Sequence, residues 1–195
     1  MDENLTALLE ELESFGAEND AQVTDHKSKM LNITHETGAF LALMVRAIKA
    51  RRILEIGTSN GYSTLWLAYA VQQSGGRVVT VERSPLKAEL AQRNFERAGF
   101  SSAITVHLAE AGRFYEEQSN SSYEFIFLDS DRGEYIGWWP SLRRILVAGG
   151  LLVVDNAVSH ENELRGFVEL VRAFPGYMMS LVPVGKGELV VLKEF

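Results

Sequence analysis

The sequence predicts an α/β fold: a mostly parallel sheet of seven strands with a C-terminal antiparallel hairpin and helices on both faces. Three observations lead there. From Arg52 onward, short apolar runs alternate with stretches of helical period. The short runs are apolar throughout, the pattern of strands covered on both sides. The last two runs are joined only by Pro183-Val184-Gly185-Lys186-Gly187, which leaves no room for a helix and implies a hairpin.

Element by element, Leu5, Leu8, Leu9, Leu12 and Phe15 recur at helical spacing with acids between them. This helix docks either on its own domain or on a second subunit. A second helical pattern runs from about Thr37 to Ala50. The expected strand and helix pairs are Arg52–Ile56 and Tyr62–Gln73; Arg77–Val81 and Pro85–Ala98; Ala103–Leu108 and Glu110–Gln118. Phe125–Leu128 then precedes a helix around Trp138–Leu146, and Gly150–Val154 precedes Glu161–Ala173. Tyr177–Val182 and Glu188–Leu192 form the hairpin. One domain is expected over residues 1–195, with N-terminal helices in 1–50 and an α/β core in 51–195.

Composition excludes several chemistries. The chain has no Cys, so disulfides, thiolate catalysis, iron–sulfur clusters and Cys-based zinc sites are out. The net charge of −7 is unevenly placed: residues 1–20 hold seven acids and no base, and the rest is neutral. No basic stripe suits a phosphate backbone, so nucleic acid is not the expected partner. No apolar run reaches membrane-spanning length, and Met1-Asp2-Glu3-Asn4 offers no basic leader. A cytoplasmic protein is expected.

In open parallel sheets, ligands bind beyond the carboxyl ends of the strands. The first strand ends in Glu55-Ile56-Gly57-Thr58-Ser59-Asn60-Gly61-Tyr62-Ser63. Gly57 and Gly61 permit a sharp turn and close backbone approach, and the next helix presents free N–H groups to an anion. The spacing is neither the dinucleotide G-x-G-x-x-G nor a P-loop. A ligand carboxylate therefore suits it better than a pyrophosphate; the plainer alternative is a tight strand–helix turn. The second strand ends at Val81-Glu82, just before Arg83, and a carboxylate there can accept both hydrogen bonds of a ribose diol; the plainer alternative is a solvated Glu at a strand end. In this architecture the turn Ala109-Glu110-Ala111 would border an adenine, although small residues are common at any strand–helix turn. Asp129 after the fourth strand can meet Asp155 and Asn156 after the fifth. Those three oxygen donors suit a hard divalent cation such as Mg²⁺, although both Asp residues could instead cap helices.

These motifs together resemble the catechol and caffeoyl-CoA type of S-adenosylmethionine-dependent O-methyltransferase. The matching stretches are Ile53–Thr58 with Gly61-Tyr62-Ser63, Val79–Glu82, Phe127–Asp131, Gly149–Asn156 and Leu181–Gly187, in order, within a resemblance that covers Leu31 to Phe195. The resemblance implies a Rossmann-like class I methyltransferase. It places the methionine end of S-adenosylmethionine by Gly57 and Ser63, its ribose on Glu82, its amino-acid part near Ile33 and Asp129, and its adenine near Ala111. It makes Asp129, Asp155 and Asn156 ligands of Mg²⁺ and the acceptor a small phenolic or catechol-like hydroxyl compound. The family's Lys base, three residues after the first metal Asp, is Arg132 here. Guanidinium stays protonated, so Arg132 would bind an acidic acceptor or stabilise a phenolate. At the surface it would otherwise pair with Glu134 or Asp131. Lys186 and His160 are the substitute bases, with His160 otherwise a polar residue at a helix start. The short segment Ala157–His160 leaves little chain to cover the acceptor.

A homodimer is expected from the leucine-rich first helix and the Trp138-Trp139 segment. Three other readings stay open: a metal-independent methyltransferase of a small acidic acceptor, an RNA-modifying enzyme on the same fold, and a non-catalytic cofactor-binding protein.

Overall fold

A computed structural model describes all 195 residues. In chain order the helices are α1 (Glu3–Gln22), α2 (His35–Ala47), α3 (Tyr62–Val71), α4 (Pro85–Arg97), α5 (Ala111–Glu116), α6 (Tyr135–Ile145) and α7 (Glu161–Ala173). The strands are β1 (Arg52–Ile56), β2 (Arg77–Glu82), β3 (Ile104–Leu108), β4 (Tyr123–Leu128), β5 (Leu146–Val154), β6 (Tyr177–Val182) and β7 (Glu188–Lys193). The expected sheet is the observed one, in the order β3-β2-β1-β4-β5-β7-β6. Strands β1 to β5 are parallel, and β7 lies antiparallel between β5 and β6.

The strand order reverses between β1 and β4, which leaves a crevice at their carboxyl ends. Register then aligns the site. Ile56 pairs with both Val81 and Leu128, and Leu128 pairs with Val154. The next residue on each strand is Gly57, Glu82, Asp129 or Asp155, so the motif residues form one row along the top of the sheet.

Two cores flank the sheet. One packs α1 to α4 on one face, through Leu41, Leu65 and Phe95. The other packs α5 to α7 on the opposite face, through Trp139, Leu142 and Phe167. Helix α3 is apolar all round because it lies between the sheet and the N-terminal helices; only Tyr69 escapes burial. The sequence also supplies local stops and starts. Asp2, Thr34 and Ser84 accept backbone N–H groups at the starts of α1, α2 and α4.

Leu5, Leu8, Leu9 and Leu12 are buried within the chain's own core, so α1 docks on its own domain. Trp139 is likewise internal, edge-on to Phe167 and Phe174. Trp138, the other residue of that segment, is half-buried, and Phe15 at the end of the leucine pattern is exposed. No helix is long and apolar enough to cross a membrane.

Helix α2 and strand β4 begin slightly earlier than the sequence pattern suggests, at His35 and Tyr123, and two further elements begin earlier still. Strand β5 starts at Leu146, because Val147–Gly150 bridge a register irregularity opposite Tyr123 and Phe125. Helix α6 starts at Tyr135, three residues before Trp138, and carries Pro140 in its interior.

Candidate active site

A cavity of about 590 Å³ opens at the crevice. Its floor is the row of strand ends. Gly57 has φ +101° and Gly61 φ +88°, both in the region that favours glycine. A Cβ on Gly57 would overlap the Asp129 carbonyl oxygen, so the missing side chain lets the β1 and β4 ends touch. A Cβ on Gly61 would come within 2.5 Å of the Phe95 ring. Thr58, Ser59, Tyr62 and Ser63 join Gly57 on the cavity wall, whereas Gly61 lies behind it as the cap of α3.

Glu82 is buried at the wall, and its two oxygens accept from Ser59 N at 2.9 Å and Ser84 N at 2.8 Å. This fixes the carboxylate and leaves lone pairs toward the cavity. Arg83 stands beside it, and the Ala109-Glu110-Ala111 turn completes that end.

Glu55 does not reach the cavity. It is completely buried, and it accepts from Ser63 Oγ at 2.6 Å, Thr80 Oγ1 at 2.6 Å and Thr64 Oγ1. Burial outweighs these three donors and pushes the carboxyl up to about 7. Its place is beneath the glycine turn, tying α3 and β2 to β1, so Glu55, expected with the rest of the first motif to contact the ligand, does not line the cavity.

At the other end, Asp129, Asp155 and Asn156 converge as expected. Asn156, at φ +66°, directs Nδ2 to Asp155 Oδ2 at 2.6 Å and to Asp129 Oδ1 at 3.4 Å. Asp129 and Asn156 line the cavity; Asp155 is buried just behind them. Burial and the charges of Asp155 and Glu55 raise the Asp129 carboxyl well above its ordinary range, while Lys186 and Arg132 pull it back. No group of three His, Cys, Asp or Glu side chains forms a metal cluster here; the available set is two carboxylates and one amide.

Arg132 pairs with Glu163 at the start of α7, Nε to Oε2 at 2.8 Å, and not with Glu134 or Asp131. His160 is the N-cap residue of α7, but its side chain makes no capping hydrogen bond. Its Nδ1 faces Ser159 Oγ at 2.9 Å, and that hydroxyl reaches Asn156 Oδ1 at 3.2 Å. Lys186 stands on the hairpin loop, which is stitched to the segment after β5 by Ala157 N donating to Gly187 O at 2.7 Å and Ser159 N to Lys186 O at 3.0 Å. Arg132, His160, Lys186 and the half-buried Trp138 all face the cavity.

Sequence reasoning missed two parts of the site. One is a strap of chain before α2: His26, Lys27, Met30, Leu31 and Asn32 line the cavity beside the expected Ile33. Asp20 accepts from Met30 N at 2.6 Å and Leu31 N at 2.9 Å, Ser59 Oγ donates to Met30 O at 2.7 Å, and Lys87 Nζ to Lys29 O at 2.6 Å. The other is Glu188, fully buried, which accepts from Thr37 Oγ1 at 3.1 Å. Burial and the neighbouring Asp155 push its carboxyl up to about 10.

The sequence model of the O-methyltransferase family matches residues 3–168. The chain belongs to the O-methyltransferase family. As a member it is an S-adenosylmethionine-dependent methyltransferase, and the resemblance carried by its motifs holds. The chain is 36% identical over 126 residues to a catechol O-methyltransferase of Mycobacterium tuberculosis, a match that spans 65% of this chain and 57% of that relative. It is 33% identical over 175 residues to a catechol O-methyltransferase of Niastella koreensis, covering 85% of this chain and 79% of the relative. The solved structure of an O-methyltransferase from Bacillus cereus in complex with S-adenosylhomocysteine superposes with a TM-score of 0.80 at 28% identity, over 96% of this chain and 91% of that one. Among O-methyltransferases, then, the cavity described above is the candidate site of methyl transfer.

Proposed function

We propose that this O-methyltransferase methylates a hydroxyl of a small phenolic or catechol-like acceptor with the help of a divalent cation, Mg²⁺ by the chemistry of its ligands. The observation that carries the reading is the convergence of Asp129, Asp155 and Asn156 one row above β4 and β5, beside the glycine turn. The donors fit the ion. They are all oxygens once the Asn156 amide turns its carbonyl inward, and the two carboxylates lie within reach of that one amide.

When bound, S-adenosylmethionine supplies an electrophilic methyl group, and the cation makes a hydroxyl it touches more acidic. The chain does the rest by positioning. Glu82 takes the ribose diol, the Ala109–Ala111 turn borders the adenine, and Gly57, Ser63 and Ile33 hold the methionine end. Arg132 cannot accept a proton at neutral pH. His160 and Lys186 stand on the same wall as Asn156 and are the two side chains placed to take one.

The test is transfer of a methyl group to a vicinal diphenol, followed by product mass, with Mg²⁺, with EDTA, and with Asp155→Ala. Product with Mg²⁺ that vanishes in EDTA and in the variant supports the reading. Undiminished turnover in both removes the metal from it.

A further inference from the structure

We infer that Arg132 reads a carboxylate on the acceptor, so the preferred acceptor class is an aromatic acid with vicinal hydroxyls, not a neutral diphenol. This rests on the methyl-transfer reading of the cavity and narrows it.

The guanidinium follows Asp129 by three residues, on the short turn Arg132–Glu134, and its side chain is only 19% exposed. Glu163 takes its Nε. Neither Nη has a hydrogen-bond acceptor in the protein, although the side chain faces the cavity. The protein's own carboxylates do not take that edge: Asp129 feels the Arg132 charge but forms no hydrogen bond with it. Asp131 accepts from Gly133 N at 3.1 Å, and Glu134 is exposed and forms no ion pair. A guanidinium held on the cavity wall by one carboxylate, with its other edge open to the cavity, is set to take an anion from a ligand. The free Nη1/Nη2 edge is planar and presents parallel donors, the geometry that a carboxylate accepts with both oxygens. Glu163 holds the Nε side, so this edge is already oriented.

The surroundings fit an aromatic body for that carboxylate. Trp138 offers a half-buried ring on the cavity wall, braced edge-on by Tyr115 at 5.6 Å. Lys186, on the hairpin loop, adds a second cation to the cavity lining. A neutral diphenol would leave the Nη edge empty; a dihydroxybenzoate fills it while its hydroxyls reach toward Asp129 and Asn156.

The experiment compares kcat/KM for a dihydroxybenzoate with vicinal hydroxyls and for catechol, in the parent and in Arg132→Met, Arg132→Lys and Glu163→Gln. The parent should favour the acid at least roughly tenfold, and Arg132→Met should lower that preference by roughly ten- to hundredfold, mainly through KM for the acid. Arg132→Lys, with charge but no fork, should fall between. Glu163→Gln should lose part of the preference while the charge at Arg132 remains. Turnover of catechol with no preference in the parent overturns this inference and leaves the methyl-transfer reading standing. An unchanged ratio in a folded Arg132→Met does the same. Failure to methylate either compound overturns both.

Discussion

Gly57→Ala is the sharpest structural perturbation of this site. The residue sits at φ +101°, and a side chain there would overlap the Asp129 carbonyl oxygen and come within 2.9 Å of its carbon. The left-handed backbone costs an alanine about 1–2 kcal/mol. Forcing apart two packed strand ends adds about 1–3 kcal/mol. The total of about 2–5 kcal/mol corresponds to a fall in Tm of roughly 4–20 °C for a chain of this size. Gly99→Ala separates the two causes. Gly99 has φ +73°, but a Cβ there meets nothing within 4 Å. It should lose only the backbone part, about 2–8 °C, and bind S-adenosylhomocysteine as the parent does. Gly57→Ala should bind it at least roughly tenfold more weakly, since the glycine turn and Asp129 move together and one charged hydrogen bond alone is worth that much. Differential scanning fluorimetry reads the first effect and calorimetric titration the second. A Gly57→Ala protein with parental affinity and a Tm no lower than that of Gly99→Ala would refute the argument.

Two further predictions follow from buried carboxylates and from the strap. Glu55 keeps its proton up to about pH 7 in the folded chain against 4.5 as its ordinary value. The folded state therefore binds more protons between those limits, so the stability from this group is full below pH 4.5 and is lost as pH rises through 7. The difference amounts to about 3 kcal/mol; Glu55→Gln should flatten the fall in urea stability across that window, and an unaltered slope would count against it. Asp20→Ala removes the acceptor of Met30 N and Leu31 N. It should weaken S-adenosylhomocysteine binding roughly five- to thirtyfold, for a loss of about 1–2 kcal/mol. Parental affinity would mean that the strap does not hold the ligand.

Much of this was legible in the sequence. Apolar strands and their turn residues marked every element, because a doubly covered sheet has one pattern throughout. The motif residues lie directly after strands, so parallel register gathers them without further information. What escaped reading depends on contacts across the chain. Glu55 belongs to the first motif, yet strand alternation sends it to the face of Ile53, opposite Leu54 and Ile56, under α3. The strap has no periodicity, and its place over the cavity is fixed by hydrogen bonds to Asp20, Ser59 and Lys87, up to 58 residues away in sequence. Glu188 reads as a hairpin residue until Thr37, from the N-terminal helices, closes over it. The partner of Arg132 was misplaced for a related reason: Glu163 is 31 residues distant and comes close only because α7 folds back beside the cavity.

The central claim is that one cavity holds the methyl donor and a divalent cation side by side. A crystal structure grown with S-adenosylhomocysteine and Mn²⁺ in place of Mg²⁺ tests it most directly. The expected result is the ribose diol on Glu82, the adenine beside Ala111, and an anomalous peak roughly 2 Å from oxygens of Asp129, Asp155 and Asn156. An occupied cofactor site with no metal peak at those three residues, or a cofactor bound elsewhere, would contradict it.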